Sequence, residues 1–170
     1  MNAIVNVNIP SGWGIGAQGR LLSHISADMK QFAAATTGKV VLYGRKTLET
    51  FPGKRPLKNR VNVILSRDPA YTVENATVVH SLEELFDACR AYDPDDLWVI
   101  GGESVYRALL PYCRTVRVTR SFEDLGEADA FFPDLDHLPG WHVVKESEMM
   151  EEEGKRYQFA DYKNEVPCTF

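Results

Sequence analysis

Leu97-Trp98-Val99-Ile100-Gly101-Gly102-Glu103-Ser104-Val105-Tyr106 is the stretch from which the fold can be read. A short apolar run ends in two glycines, and a helical pattern starts directly behind them. Apolar runs of this length, bounded by turn residues, are buried strands more often than helices. Val105, Leu109 and Leu110 then form an apolar stripe that Pro111 stops. The segment is a strand, a tight turn and a helix. A glycine pair at the end of a buried strand lets the backbone approach a ligand closely, or simply makes the turn.

The same grammar extends in both directions. Further β-branched runs are Ile4-Val5-Asn6-Val7, Lys39-Val40-Val41-Leu42-Tyr43, Val61-Asn62-Val63-Ile64-Leu65, Thr77-Val78-Val79 and Thr115-Val116-Arg117-Val118-Thr119. Helical patterns lie between several of them. Met29, Phe32 and Ala33 mark a first helix that ends near Thr36-Thr37-Gly38. Ser81-Leu82-Glu83-Glu84 is a capping box followed by Leu85, Phe86 and Cys89 at helical spacing. Strands alternating with helices predict an α/β fold: a mostly parallel, twisted central sheet with flanking helices. The tail departs from this. Trp141-His142-Val143-Val144 and Tyr157-Gln158-Phe159-Ala160 flank Glu151-Glu152-Glu153-Gly154-Lys155, which reads as a C-terminal antiparallel hairpin with a solvated acidic turn. No repeat, linker or low-complexity tract divides residues 1–170, so a single domain is expected.

Composition narrows the function. The chain has 170 residues, 44% hydrophobic and 25% charged, with a formal charge of −5. That balance argues against nucleic-acid binding, which needs a basic surface. An anionic small ligand remains open, because Lys54, Arg55, Lys58, Arg60 and Arg67 gather in one stretch. Cys89, Cys113 and Cys168 show no metal or disulfide spacing, which fits a reducing cytoplasm and no metal site. No apolar stretch is long enough to span a membrane.

Gly14-Ile15-Gly16-Ala17-Gln18-Gly19 fits the dinucleotide fingerprint G-x-G-x-x-G. Its context is wrong, since Pro10, Ser11 and Gly12 separate it from the strand and no helix opens at the glycines. The stretch is expected to be a long flexible loop. Better phosphate sites follow other strands. Gly44-Arg45-Lys46-Thr47 leads from a strand into a short helix, Ser66-Arg67 follows another strand, and Gly101-Gly102-Glu103-Ser104 a third. Each alone could be a plain turn with surface charges, whereas three together favour a phosphorylated dinucleotide. Asp28 and Phe32 share one face of the first helix. In apolar surroundings that carboxylate would be desolvated and would suit two parallel N–H donors of a heterocycle; otherwise it is an exposed aspartate near a helix N-terminus.

Taken in order, Asp28, Gly44-Arg45-Lys46-Thr47, Asn59-Arg60-Val61-Asn62-Val63-Ile64-Leu65-Ser66-Arg67, Val99 to Tyr106 and Ala128-Asp129-Ala130-Phe131-Phe132-Pro133 resemble the bacterial dihydrofolate reductases. The resemblance implies NADPH-dependent reduction of 7,8-dihydrofolate, with hydride moving from nicotinamide C4 to pterin C6 and a proton to N5. It also implies antifolates as ligands and a monomer in the cytoplasm. By resemblance Asp28 anchors the pterin and Thr119 supports it, these two being the catalytic pair. Asn6, Phe32, Leu57, Arg60 and Ile100 complete the substrate site, with Arg60 pairing the glutamate α-carboxylate. The cofactor falls to Ile15, Gly16, Gly44, Arg45, Lys46, Thr47, Ser66, Arg67, Gly101, Gly102, Glu103, Ser104, Val105 and Tyr106, with a cis peptide common at the glycine pair. His24 is read as a loop residue.

Three departures from the family's pattern involve four positions. Leu22-Ser23 stand where Pro-Trp is usual, Ser26 where a proline commonly precedes the Ala-Asp pair, and Asn6 where alanine is typical. A looser start to the first helix is expected from Ser26, and Asn6 must find a hydrogen-bond partner or lower stability. Two rival readings exist: the related NADPH-dependent reductase of riboflavin biosynthesis, acting on a ribosylaminopyrimidine, and an NADPH- or folate-binding protein impaired in turnover.

Overall fold

The computed structural model describes residues 1–170. In chain order the strands are β1 (Asn2–Asn8), β2 (Gly14–Ala17), β3 (Arg20–Leu21), β4 (Val40–Gly44), β5 (Val61–Leu65), β6 (Thr77–Val79), β7 (Leu97–Gly101), β8 (Thr115–Ser121), β9 (Ala130–Phe131), β10 (Trp141–Glu146), β11 (Met150–Glu152) and β12 (Lys155–Asn164). The helices are α1 (Ser26–Thr36), α2 (Arg45–Leu48), α3 (Leu82–Cys89) and α4 (Glu103–Leu109). The main sheet runs β10-β12-β8-β1-β7-β4-β5-β6. From β8 to β6 every neighbouring pair is parallel, and β12 adds antiparallel to β8 and β10.

Strand alternation sorts the core into two layers. Ala3, Val5 and Val7 of β1 join Leu42, Val63, Val99 and Val118 in one cluster, packed by Leu85 and Cys89 of α3 and by Val105 and Leu109 of α4. Ile4, Val41, Tyr43, Ile64 and Trp98 form the other, packed by Ala35 of α1 and Leu48 of α2. Each fully buried leucine or valine in these layers stabilises the fold by about 1.5–3 kcal/mol. Helix α3 carries the expected capping box: Ser81 Oγ accepts from Glu84 N at 3.1 Å. The Glu84 carboxylate reaches back one residue further than expected, to His80 N at 2.7 Å.

Two breaks in the parallel ladder position the site. Strands β1 and β7 pair only at Asn2–Trp98 and Ala3–Val99 and then separate. Between β7 and β4 the register shifts, with Leu42 opposite Val99 and Tyr43 opposite Gly101, so Ile100 is an extra residue. Such a bulge re-aims the side chains beside it.

Three expectations are corrected. The glycine-rich stretch is a small antiparallel unit rather than an open loop: β2 pairs with β3, with β9 and with the end of β1. The acidic run is not all turn, because Glu151 and Glu152 belong to β11 and only Glu153-Gly154 make the turn to β12. Met29 and Ala33, two of the three apolar residues that mark the first helix in the sequence, face solvent and not the core, Met29 with 52% of its surface exposed.

Gly14 explains its own identity. A Cβ there would lie 2.4 Å from Ser11 Oγ and 2.5 Å from Ala128 Cβ, so the glycine serves close packing of β2 against the preceding turn and the segment before β9. Gly14→Ala is expected to destabilise the protein by about 1–3 kcal/mol through overpacking. A denaturant midpoint equal to that of the unmodified protein would contradict this packing role.

Candidate active site

The Asp28 end of the site is built on one strand pair. Asn6 of β1 and Thr119 of β8 are register partners, and both side chains reach Asp28 in the first turn of α1. Thr119 Oγ1 donates to Asp28 Oδ1 at 2.6 Å, and Asn6 Nδ2 meets Oδ2 at 3.5 Å. Burial pushes the Asp28 carboxyl above its ordinary pKa, and the Thr119 and Asn6 donors pull the other way. Asn6 therefore has its partner, and Nδ2 also reaches Ser23 O at 3.4 Å. Its Oδ1 is buried with none. An acceptor left so costs about 1–3 kcal/mol.

Phe32, Leu57 and Ile100 all pack against the layer that contains α1. Arg60 lies over the Phe32 ring, its guanidinium carbon 5.8 Å from the centroid. Its Nε donates to Thr36 Oγ1 at 3.2 Å and its Nη1 to Lys58 O at 2.9 Å. Nη2 makes neither bond, which leaves that edge for a carboxylate. Lys54, Arg55, Leu57, Lys58 and Arg60 line a groove of about 730 Å³. Asn62, to which the motif alone assigns no role, organises this rim. Its Oδ1 accepts from Tyr43 Oη at 2.8 Å and Leu57 N at 3.0 Å, while Nδ2 donates to Leu57 O at 2.9 Å and Arg60 O at 3.2 Å. A polar residue in the middle of the Val61–Leu65 run was its signal.

Three neighbouring strands end in the phosphate-suited junctions, since β7, β4 and β5 are adjacent and parallel. The Gly101–Gly102 peptide is cis. A Cβ on Gly101 or Gly102 would meet Thr47 Oγ1 at 3.4 or 3.5 Å, and one on Gly44 would meet Val105 Cγ2 at 3.2 Å. The junctions thus bring Thr47, Gly101 and Gly102 together. Arg45 is shared between Glu49 at 3.7 Å and Asp68 at 3.6 Å, and it stacks on Tyr71 at 4.3 Å. Lys46 and Arg67 are exposed, as is Ser104, whereas Ser66 is buried. Glu103 pairs with Arg107 at 3.5 Å.

Val105 and Tyr106 are core residues. Tyr106 Oη donates to Ile4 O at 2.7 Å, and burial raises its pKa far above the ordinary tyrosine value. The hydroxyl is thus a fixed neutral donor. Ile15 packs against the first core layer, and Gly16 O accepts from Asp129 N at 3.0 Å. Asp129 Oδ2 also accepts from Gln18 N at 2.8 Å, a loop anchor that its sequence position did not reveal. No acid, histidine or cysteine cluster suited to a metal ion is present.

A carboxylate shielded between two strands, a split parallel sheet beside it and three glycine- or hydroxyl-bearing strand ends define an α/β nucleotide-dependent enzyme acting on a heterocycle. The family description "Dihydrofolate reductase" matches residues 3–164. Similar proteins are the dihydrofolate reductases of Bacillus subtilis, 32% identical over 85% of this chain and 83% of that protein, and of Neisseria meningitidis serogroup B, 34% identical over 87% and 89%. A dihydrofolate reductase from Enterococcus faecalis, solved with NADP(H) and RAB-propyl, superimposes with a TM-score of 0.83 at 31% identity, covering 96% of this chain and 95% of its own. The chain belongs to the dihydrofolate reductase family.

The Asp28 environment fixes a stability sign. The folded chain holds the Asp28 proton to higher pH than the unfolded chain does. Stability from this carboxyl is therefore fullest below the usual carboxylate range and is lost as pH rises through the raised value. Asp28→Asn is expected to raise the thermal midpoint at neutral pH and to lose that advantage in acid. Melting curves across pH check it, and a lower midpoint at neutral pH would refute the argument.

Proposed function

We propose that this chain reduces 7,8-dihydrofolate to 5,6,7,8-tetrahydrofolate with NADPH, as a single-domain monomer in the cytoplasm. The observation that carries this reading is the Asp28 carboxylate, held by Thr119 and reached by Asn6 at the place where β1 and β7 part. Two parallel N–H donors on a pterin edge fit such a carboxylate, and charge-assisted bonds of that kind are the strong ones. Its raised affinity for a proton also suits a site where ring protonation at N5 accompanies reduction.

The strand ends fit the dinucleotide. Gly101 and Gly102 present bare backbone under Thr47, so a flat group can approach without meeting a Cβ. Thr47, Ser66, Arg67, Lys46 and Arg45 would hold the phosphates, the Asp68 and Glu49 carboxylates keeping Arg45 in place. Ile15 and Gly16, on the hairpin tied down by Asp129, would cover the nicotinamide end. When bound, NADPH supplies the hydride for pterin C6. The chain itself orients the pterin through Asp28 and Thr119, packs it with Phe32, Leu57 and Ile100, and excludes water. Arg60 takes the glutamate α-carboxylate, its guanidinium already braced by Thr36 and Lys58.

Free Cys89, Cys113 and Cys168 support the reducing location, and no helix is long and apolar enough to cross a membrane. Antifolates that present an amidine-like edge would use the same carboxylate.

Loss of NADPH absorbance on adding dihydrofolate to the purified protein is the direct test. Binding of NADPH without that loss would favour a non-catalytic binding protein. Asp28→Asn is expected to lower the rate by roughly 10²-fold or more while NADPH affinity is retained; an equally active variant would remove Asp28 from the mechanism. Arg60→Gln is expected to raise KM for dihydrofolate by roughly tenfold or more with kcat little changed. The same substitution should not alter affinity for a pterin lacking the glutamate, and an equal loss there would contradict the tail assignment.

A further inference from the structure

Helix α1 carries the substrate anchor but lacks a cap of its own. Its N-cap residue is Ile25, and no side chain near it in sequence accepts from the first turn. The leading N–H groups of a helix have no partner within the helix, and they need one elsewhere. Here the partner comes from the other end of the chain. Glu152 Oε2 accepts from Ser26 N at 2.6 Å and Oε1 accepts from Ala27 N at 3.1 Å. Glu152 is held below the usual carboxylate pKa range by these backbone donors, so it is ionised where the helix dipole favours a negative charge.

Lys155 completes the contact. Glu152 and Lys155 are register partners flanking the Glu153-Gly154 turn. Lys155 Nζ donates to His24 O at 2.8 Å. The carboxylate thus meets the N–H side of the incoming chain and the ammonium meets a carbonyl just before it, with Ile25 buried between them. Strand β12, which carries Lys155, is paired with β8, and there Phe159 lies opposite Thr119. Thr119 grips the Asp28 side chain while Glu152 grips the backbone two residues earlier. Strands β8 and β11, both paired with β12, therefore fix the carboxylate and the helix turn that bears it. Ser26 matters to this arrangement, because a proline at that position would have no N–H to offer.

We propose that Glu152 and Lys155 form a clasp that sets the position of Asp28, with Glu152 a positioning residue for pterin binding; the substrate part of this rests on the function proposed above. Glu152→Ala would free the Ser26 and Ala27 N–H groups and let the Asp28 carboxylate shift against Thr119.

The test joins amide hydrogen exchange to ligand affinity. In Glu152→Ala, exchange at Ser26 and Ala27 is expected to accelerate, and KM for dihydrofolate and Kd for folate to rise roughly three- to thirtyfold, the range of a lost helix cap. NADPH affinity should hold. Glu152→Gln retains acceptor oxygen and should recover part of the affinity, which a general loss of stability would not do. In a Ser26→Pro background the Glu152→Ala effect should shrink, because one of the two donors is gone. Unchanged exchange at Ser26 and Ala27 overturns the clasp. Faster exchange with unchanged KM and Kd overturns the positioning role, and so does an undiminished effect in the Ser26→Pro background if thermal unfolding shows that background folded. Absence of turnover in the unmodified protein would instead overturn the proposed reaction, while exchange and folate binding still decide on Glu152.

Discussion

The site depends on a hydrogen bond that is not part of the sheet ladder. Strands β1 and β7 pair for two residues and then part, which would strand the carbonyl of Ile4 in the interior. Tyr106 supplies the missing donor at 2.7 Å from α4, immediately beyond the cis glycine pair. An unpaired carbonyl there would cost about 1–3 kcal/mol, so the split is tolerable because the helix after β7 caps it. The order strand, glycine pair, helix thus does two jobs at once. The glycines give a bare surface beside the gap, and the helix they open returns a hydroxyl to close the backbone accounting. The Ile100 bulge lies on the other edge of β7, against β4, which stays paired through Gly101.

The gap also explains why a carboxylate can be kept at a cost to stability. Asp28 lies where water is scarce, and its charged form is disfavoured by burial. Thr119 and Asn6, side by side on β8 and β1, reduce this penalty without removing it. A fully compensated carboxylate would have little left to gain from a ligand. Binding sites commonly hold such unsatisfied interaction at the expense of stability, and a pterin edge with two donors would satisfy Asp28 further than the protein does by itself.

Much of the fold was legible because its strands are short β-branched runs punctuated by turn residues. The observed β1, β4, β5, β6, β7 and β8 fall on the runs read from sequence. The same periodicity failed at residues 14–21, since glycine has no side chain to alternate and the pairing there is set by β9, far along the chain. In the site, Asp28 and Thr119 were singled out through motif resemblance, and the fold brings their side chains into contact. Asn62 was visible as a polar intruder in an apolar strand, yet nothing local said that it holds the Leu57–Arg60 loop. Asp129 and Glu152 act across more than a hundred residues, on Gln18 and Ser26 respectively. Such partners follow from topology and register, which a pattern of residue types does not encode.

The departures from the family's pattern become intelligible once these long-range contacts are known. Ser26 in place of proline adds an N–H at the start of α1, and Glu152 accepts it. Asn6 in place of alanine adds an amide near the cleft, and its Nδ2 reaches the carbonyl of Ser23, itself one of the changed positions. The loop before α1 is therefore pinned at Ser23 and His24, and the first turn of α1 at Ser26 and Ala27, by side chains from β1, β12 and β11. A looser helix start was the natural expectation when Ser26 was judged from its own position. The structure corrects it: a proline stiffens this approach through its fixed backbone angle, whereas here hydrogen bonds from distant strands supply the constraint. The two solutions differ in one respect that matters for the site. A ring constrains only its own residue, but a carboxylate reaching from β11 ties the helix bearing Asp28 to the strand pair bearing Thr119.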